Sequence, residues 1–141
     1  MMKIAALLCL LLVLATGTLV AEPAPGAPAG SGRVFELRTY TASPGKLEAL
    51  NARFRDHTIA LFKKHEMEVV GFWEPLDKAA GAGEKLVYVL AHQSRAAAEA
   101  SWKAFRDDPE WVKVKADSEK GVLTTKIESV FLAGTDYSPL K

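Results

Sequence analysis

Between Val34 and Tyr40 the side chains alternate in the two-residue period of a strand. Phe35 and Leu37 share one face, and Glu36, Arg38 and Tyr40 share the other. Ser43-Pro44-Gly45 then reads as a helix start, with Ser43 as cap and Pro44 at the first helical position. From Leu47 the spacing becomes helical through Leu47, Leu50, Phe54, Leu61 and Phe62. His57 continues the stripe of Leu50, Phe54 and Leu61 and is expected to point inward. Met67–Glu74 predicts a second strand ended by Pro75, and Gly71 within it marks a bulge or a close approach. The Ala- and Gly-rich run Leu76–Glu84 reads as a flexible hairpin connection. Lys85–His92 is apolar enough for a central strand. Ser94 then caps a helix over Arg95–Asp107, with Ala98, Trp102 and Phe105 on one stripe. Asp108-Pro109-Glu110 restarts a third helix that carries Trp111 and Val114 and stops at Gly121. Val122–Leu132 is the last strand, and Gly134–Lys141 is a tail.

The order strand, helix, strand, strand, helix, strand predicts an α+β fold of ferredoxin-like βαββαβ type. It has a four-stranded antiparallel sheet with helices on one face. The opposite sheet face is then bare. The strand carrying Glu36, Arg38 and Tyr40 is expected to turn them to that bare face, joined by Val69 or Val70 and by Phe72 or Trp73. A bare face with large apolar residues marks an interface, so two copies are expected to pack sheet to sheet.

The remaining chain sets the boundaries. Lys3 followed by the apolar run Ile4–Ala15 and a small-residue stretch ending at Ala21 reads as a secretory signal over residues 1–21, against an uncleaved anchor helix as the rival. Residues 22–32 (EPAPGAPAGSG) have nothing to bury and read as a disordered linker. One domain over residues 33–141 follows, expected to be periplasmic or secreted with no stable membrane association once the leader is cut. Cys9, the only cysteine, lies inside the apolar run, so a mature chain has no thiol for a disulfide, a nucleophile or a metal site. The formal charge of +1 offers no electrostatic case for nucleic acid.

The candidate chemistry is sparse. Glu36, Arg38 and Tyr40 put an acid, a guanidinium and a phenol in a row. They read either as an ion pair locking a dimer or as a site in which Arg38 holds a carboxylate or stabilises an oxyanion. His57 is a candidate general base or a core histidine. His65 suits a helix C-terminus, and His92 ends a strand. The three histidines are too scattered to show ligand spacing, so no metal is expected. Trp73 is the best pocket candidate among Trp73, Trp102 and Trp111, and Tyr88 is a core filler or a pocket wall. No phosphate-binding glycine loop, dinucleotide fingerprint or nucleophile elbow is present, so no cofactor is expected.

Five stretches in order resemble the NIPSNAP family: FELRTYT at Phe35–Thr41, PGKL at Pro44–Leu47, VGFWE at Val70–Glu74, DPEW at Asp108–Trp111 and YSPL near the end. The resemblance covers Arg33 to the C-terminus. It implies a dimeric α/β barrel and no particular activity. Two readings of function remain open. One is a homodimeric small-molecule-binding or interaction module that uses Glu36, Arg38, Tyr40, Trp73 and Tyr88. The other is a cofactor-independent oxygenase or isomerase with His57 as base and Arg38 as oxyanion stabiliser.

Overall fold

Alternation gives way to helical spacing in the chain as the sequence predicts. A computed structural model describes residues 32–119 and 121–141. The proposed leader and nearly all of the linker, with Cys9, lie outside the described residues. The elements are β1 (Val34–Ala42), α1 (Leu47–Arg53), a π-helical turn (Phe54–Thr58), α2 (Ile59–Lys64), β2 (Glu68–Trp73), β3 (Lys85–His92), α3 (Arg95–Asp107), α4 (Pro109–Ser118) and β4 (Thr124–Ala133). The sheet is antiparallel, with strand order β2-β3-β1-β4. This is the predicted ferredoxin-like arrangement, with β3 and β1 in the centre.

Two of the helix starts follow the sequence closely. The Ser94 side chain accepts from the Ala97 N–H at 3.1 Å, and the Asp108 side chain accepts from the Glu110 N–H at 2.8 Å. Each satisfies a donor that the first helical turn leaves free. The start of α1 differs. Ser43 makes no side-chain cap; its carbonyl instead accepts from the Lys46 N–H at 2.8 Å. Gly45 has φ +72°, a left-handed conformation that no helix interior permits, so Ser43-Pro44-Gly45 is a turn placed before the helix.

The face assignment of β1 is reversed from expectation. Glu36 and Tyr40 are buried, and Tyr40 packs edge-on to Phe54 from the π turn at 5.6 Å between ring centroids. Arg38 lies over the Trp102 ring of α3 at 4.3 Å. The row Glu36, Arg38, Tyr40 therefore faces the helices. Four aromatic rings, Tyr40, Phe54, Phe72 and Tyr88, close the core around it, with Phe62, Trp102 and Phe105 beyond. The reversal has a physical reason. A carboxylate is tolerated inside when its oxygens are fully hydrogen-bonded, and Tyr40 buries a large aromatic surface on the same side.

The outer face is correspondingly apolar. Directly opposed residues share a face, so the register places Phe35 with Ala91 and Leu132, Leu37 with Val89 and Val130, and Trp73 with Val87. The pairing shifts between Val69 and Gly71, which is the predicted bulge, and it leaves Val69 and Phe72 inward and Val70 and Trp73 outward. Trp73 is 52% exposed, Val130 52%, Leu132 43% and Val70 36%. No helix of the described residues is long and apolar enough to cross a membrane.

Candidate functional site

Glu36 is the hub of the polar groups inside the fold. One oxygen accepts from the Arg38 Nη1–H at 2.6 Å and from the Ser129 hydroxyl of β4 at 2.6 Å. The other accepts from the Trp102 indole N–H at 2.6 Å and meets His92 Nε2 at 3.2 Å. These partners come from β1, β3, β4 and α3, so one carboxylate ties a helix to three strands. Burial alone would push the Glu36 pKa up. The bonds from His92, Ser129, Trp102 and Arg38 outweigh it and hold the carboxyl down at about 2. Burial likewise opposes the charge of Arg38, but Tyr40, Tyr88 and Glu36 raise its pKa on balance. Burial is also the first cause that lifts the Tyr88 phenol, followed by Tyr40. Arg38 Nη2 points to the Tyr40 hydroxyl at 3.5 Å. Among the described residues Arg38 Nε, the Tyr88 hydroxyl and His92 Nδ1 are buried without a partner.

Four of the predicted ligand residues, Glu36, Arg38, Tyr40 and Tyr88, are thus gathered in one place. That place is the packed seam between the sheet and α3, and its residues line none of the larger surface grooves. The cluster does what a structural network does: it fixes α3 to the sheet. Trp102, His92 and Ser129 complete it, and sequence reasoning missed their role. The available signal was the buried carboxylate itself, which requires donors from other elements.

Trp73 stands apart from the cluster. Its ring folds back over Gly71, where an added Cβ would meet the indole Cη2 at 2.7 Å. It walls two grooves. One, of about 430 Å³, runs over the outer sheet face between Phe35, Val89, Leu132 and the tail residues Ser138 and Leu140. The other, of about 280 Å³, lies at the edge of β2 beside Phe54, Ile59 and Leu86.

His57 is exposed, contrary to the expectation of an inward ring. The reason is the π turn, in which the Ile59 N–H reaches back to the Phe54 carbonyl. The extra residue in that turn shifts the helix phase, and Thr58 takes the inward position, donating its hydroxyl to the Arg53 carbonyl at 3.2 Å. His57 lines a groove of about 600 Å³ between α1, the π turn and α4, together with Arg53, Asp56, Lys113 and Asp117. Arg38 does not line it. The predicted catalytic pair of His57 and Arg38 is therefore not assembled in one pocket. His65 Nε2, at the end of α2, meets the Asp108 carboxylate at 2.7 Å. No group of three or more His, Cys, Asp or Glu among the described residues could hold a metal ion.

Comparison with known proteins gives the same fold. The NIPSNAP family model matches residues 35–139. A NIPSNAP-family protein of Agrobacterium tumefaciens is 21% identical, with a TM-score of 0.69 over 81% of this chain and 98% of that one. A NIPSNAP-like domain protein of Burkholderia xenovorans is 15% identical, with a TM-score of 0.68 over 78% and 91%. SnoaB of Streptomyces nogalater, a cofactor-independent oxygenase, is 13% identical, with a TM-score of 0.50 over 77% and 98%. At these identities the structural likeness shows fold alone. No curated protein matches the chain. The matched motifs span nearly all of the folded segment, and the chain belongs to the NIPSNAP family.

Proposed function

We propose that the chain is an exported, homodimeric binding or interaction module. Its working surface is the outer sheet face, and Trp73 walls a pocket for a small organic ligand at the rim. The observation that carries this reading is the apolar run across the bare face: Phe35, Leu37, Val89, Val130, Leu132 and Trp73 lie on neighbouring strands with no helix over them. Leaving such a patch in water is unfavourable, and a second copy of the same sheet is self-complementary to it under two-fold symmetry. Trp73 is half exposed and borders two grooves, so it would be reached by a ligand from the edge of the closed dimer.

Oxygenase or isomerase chemistry with His57 as base and Arg38 as oxyanion stabiliser needs both groups within reach of one substrate. The likeness to SnoaB is one of fold, and Arg38 does not line the groove that His57 lines. The binding reading is therefore the better supported. Thermal shift against a metabolite panel tests it. Apolar or aromatic small molecules should raise Tm in the parent protein, and Trp73→Ala should abolish the rise. Shifts that survive Trp73→Ala would place the ligand elsewhere.

A further inference from the structure

The residues after β4 fold back over the outer sheet face instead of trailing from it. Thr135, Ser138 and Leu140 wall the same groove as Phe35 of β1 and Val70 and Trp73 of β2. β4 is one edge of the sheet and β2 the other, so the tail runs from the β4 edge towards β2. Backbone and side-chain bonds hold it there. Ser138 donates its N–H to the Thr135 carbonyl at 3.0 Å, and Leu140 donates its N–H to the Ser138 hydroxyl at 3.3 Å. Lys141 Nζ donates to the Thr135 and Asp136 carbonyls. Arg33 Nη1 donates to the Lys141 backbone oxygen at 3.2 Å, while its Nη2 pairs with Glu68 of β2. Ordering a segment costs conformational entropy, and the single chain recovers little of it in buried apolar surface. Tyr137 is 84% exposed and Leu140 53%.

The register grades the outer face along its strands. Phe35, Leu37, Val130 and Leu132 lie at the tail end, and Thr39 and Thr41 lead to Lys85, Lys126 and Glu128 at the far end. Lys126 pairs with Glu128 at 2.7 Å, so these three residues carry one more cation than anion. Copies related by a two-fold axis present the same groups to each other. Contact through the far end would set that surplus charge against itself, whereas contact through the tail end covers apolar surface with apolar surface. We infer that a second copy of this chain seats on the tail end of the face and buries the outer side of the tail, with Tyr137 and Leu140 as contact residues. The inference rests on the sheet-to-sheet dimer proposed above. It says which end of the face that dimer uses and which segment completes the contact.

Sedimentation equilibrium of residues 22–141 over a dilution series tests this with Tyr137→Glu, Leu140→Glu and, at the far end, Thr41→Glu. Tyr137→Glu and Leu140→Glu should each raise the dimer Kd roughly tenfold or more, as loss of a buried contact residue does. Thr41→Glu should change it less than about twofold, since positions outside the buried contact are near neutral. Tyr137→Glu is the decisive variant. So exposed a side chain has almost no packing in its own chain to lose, and circular dichroism of the variant should match the parent. Dimers of Tyr137→Glu and Leu140→Glu as tight as the parent's, beside a monomeric Leu37→Glu, would overturn the inference and leave the sheet-face reading standing. Weakening by Thr41→Glu as large as that by Tyr137→Glu would also overturn it. A parent at the single-chain mass throughout would overturn both.

Discussion

At the scale of single residues, Glu36 carries most of the specific polar information in the core. Its carboxylate is held ionised by four donors drawn from four elements. Removing its charge while keeping its shape leaves Arg38 buried without its anion, so Glu36→Gln should destabilise the fold by about 3 kcal/mol, read as a lower urea midpoint at unchanged slope. The pH dependence has a definite sign. The folded pKa of Glu36 lies below its unfolded value of 4.5, at about 2. Its contribution is therefore fully present above pH 4.5 and is lost as pH falls towards 2. The parent should lose stability over that window, and Glu36→Gln should lose less. The alternation of β1 was legible in the sequence, and so was the grouping of Glu36, Arg38 and Tyr40. Which face they turned to was not. The alternation fixes which residues travel together. The choice of side depends on whether His92, Trp102 and Ser129, remote in the sequence, supply donors at the right register.

At the scale of elements, caps and strands were readable because their signals are local. Ser94 and Asp108 start α3 and α4 where the residue types require it. The bulge at Gly71 was readable for the same reason. The π turn was not, since no local residue pattern distinguishes it from an α turn, and that is why His57 was assigned to the wrong side. Asp108 does more than cap. It meets Lys64 at 2.8 Å and His65 at 2.7 Å, and those two, with the Glu110 N–H, hold its pKa well below the usual carboxylate range. Asp108→Ala should lower Tm by a few degrees and raise amide exchange at the α3–α4 corner before the sheet exchanges. Gly71→Ala tests the Trp73 platform. The new methyl would collide with the indole at 2.7 Å, and the exposed ring can swing away. Stability should change by less than about 1 kcal/mol, while the Trp73 fluorescence and any dimer affinity should change clearly.

For the whole molecule, the ferredoxin-like topology followed from element order, and the structural relatives share it. The sequence also implied a bare sheet face, but the residues expected there were partly wrong. Tyr40 lies in the core, whereas Leu37, Val89, Val130 and Leu132, with a buried Phe35 beside them, are the ones on the outer face. The correction strengthens the case for an interface, because the outer face is more apolar than the one first expected. The most direct test is sedimentation equilibrium of residues 22–141 at micromolar concentration, beside Leu37→Glu, which sets a like charge at the middle of the face on both copies. The account predicts twice the single-chain mass for the parent and the single-chain mass for a folded Leu37→Glu. A parent that remains at the single-chain mass across that range would contradict it.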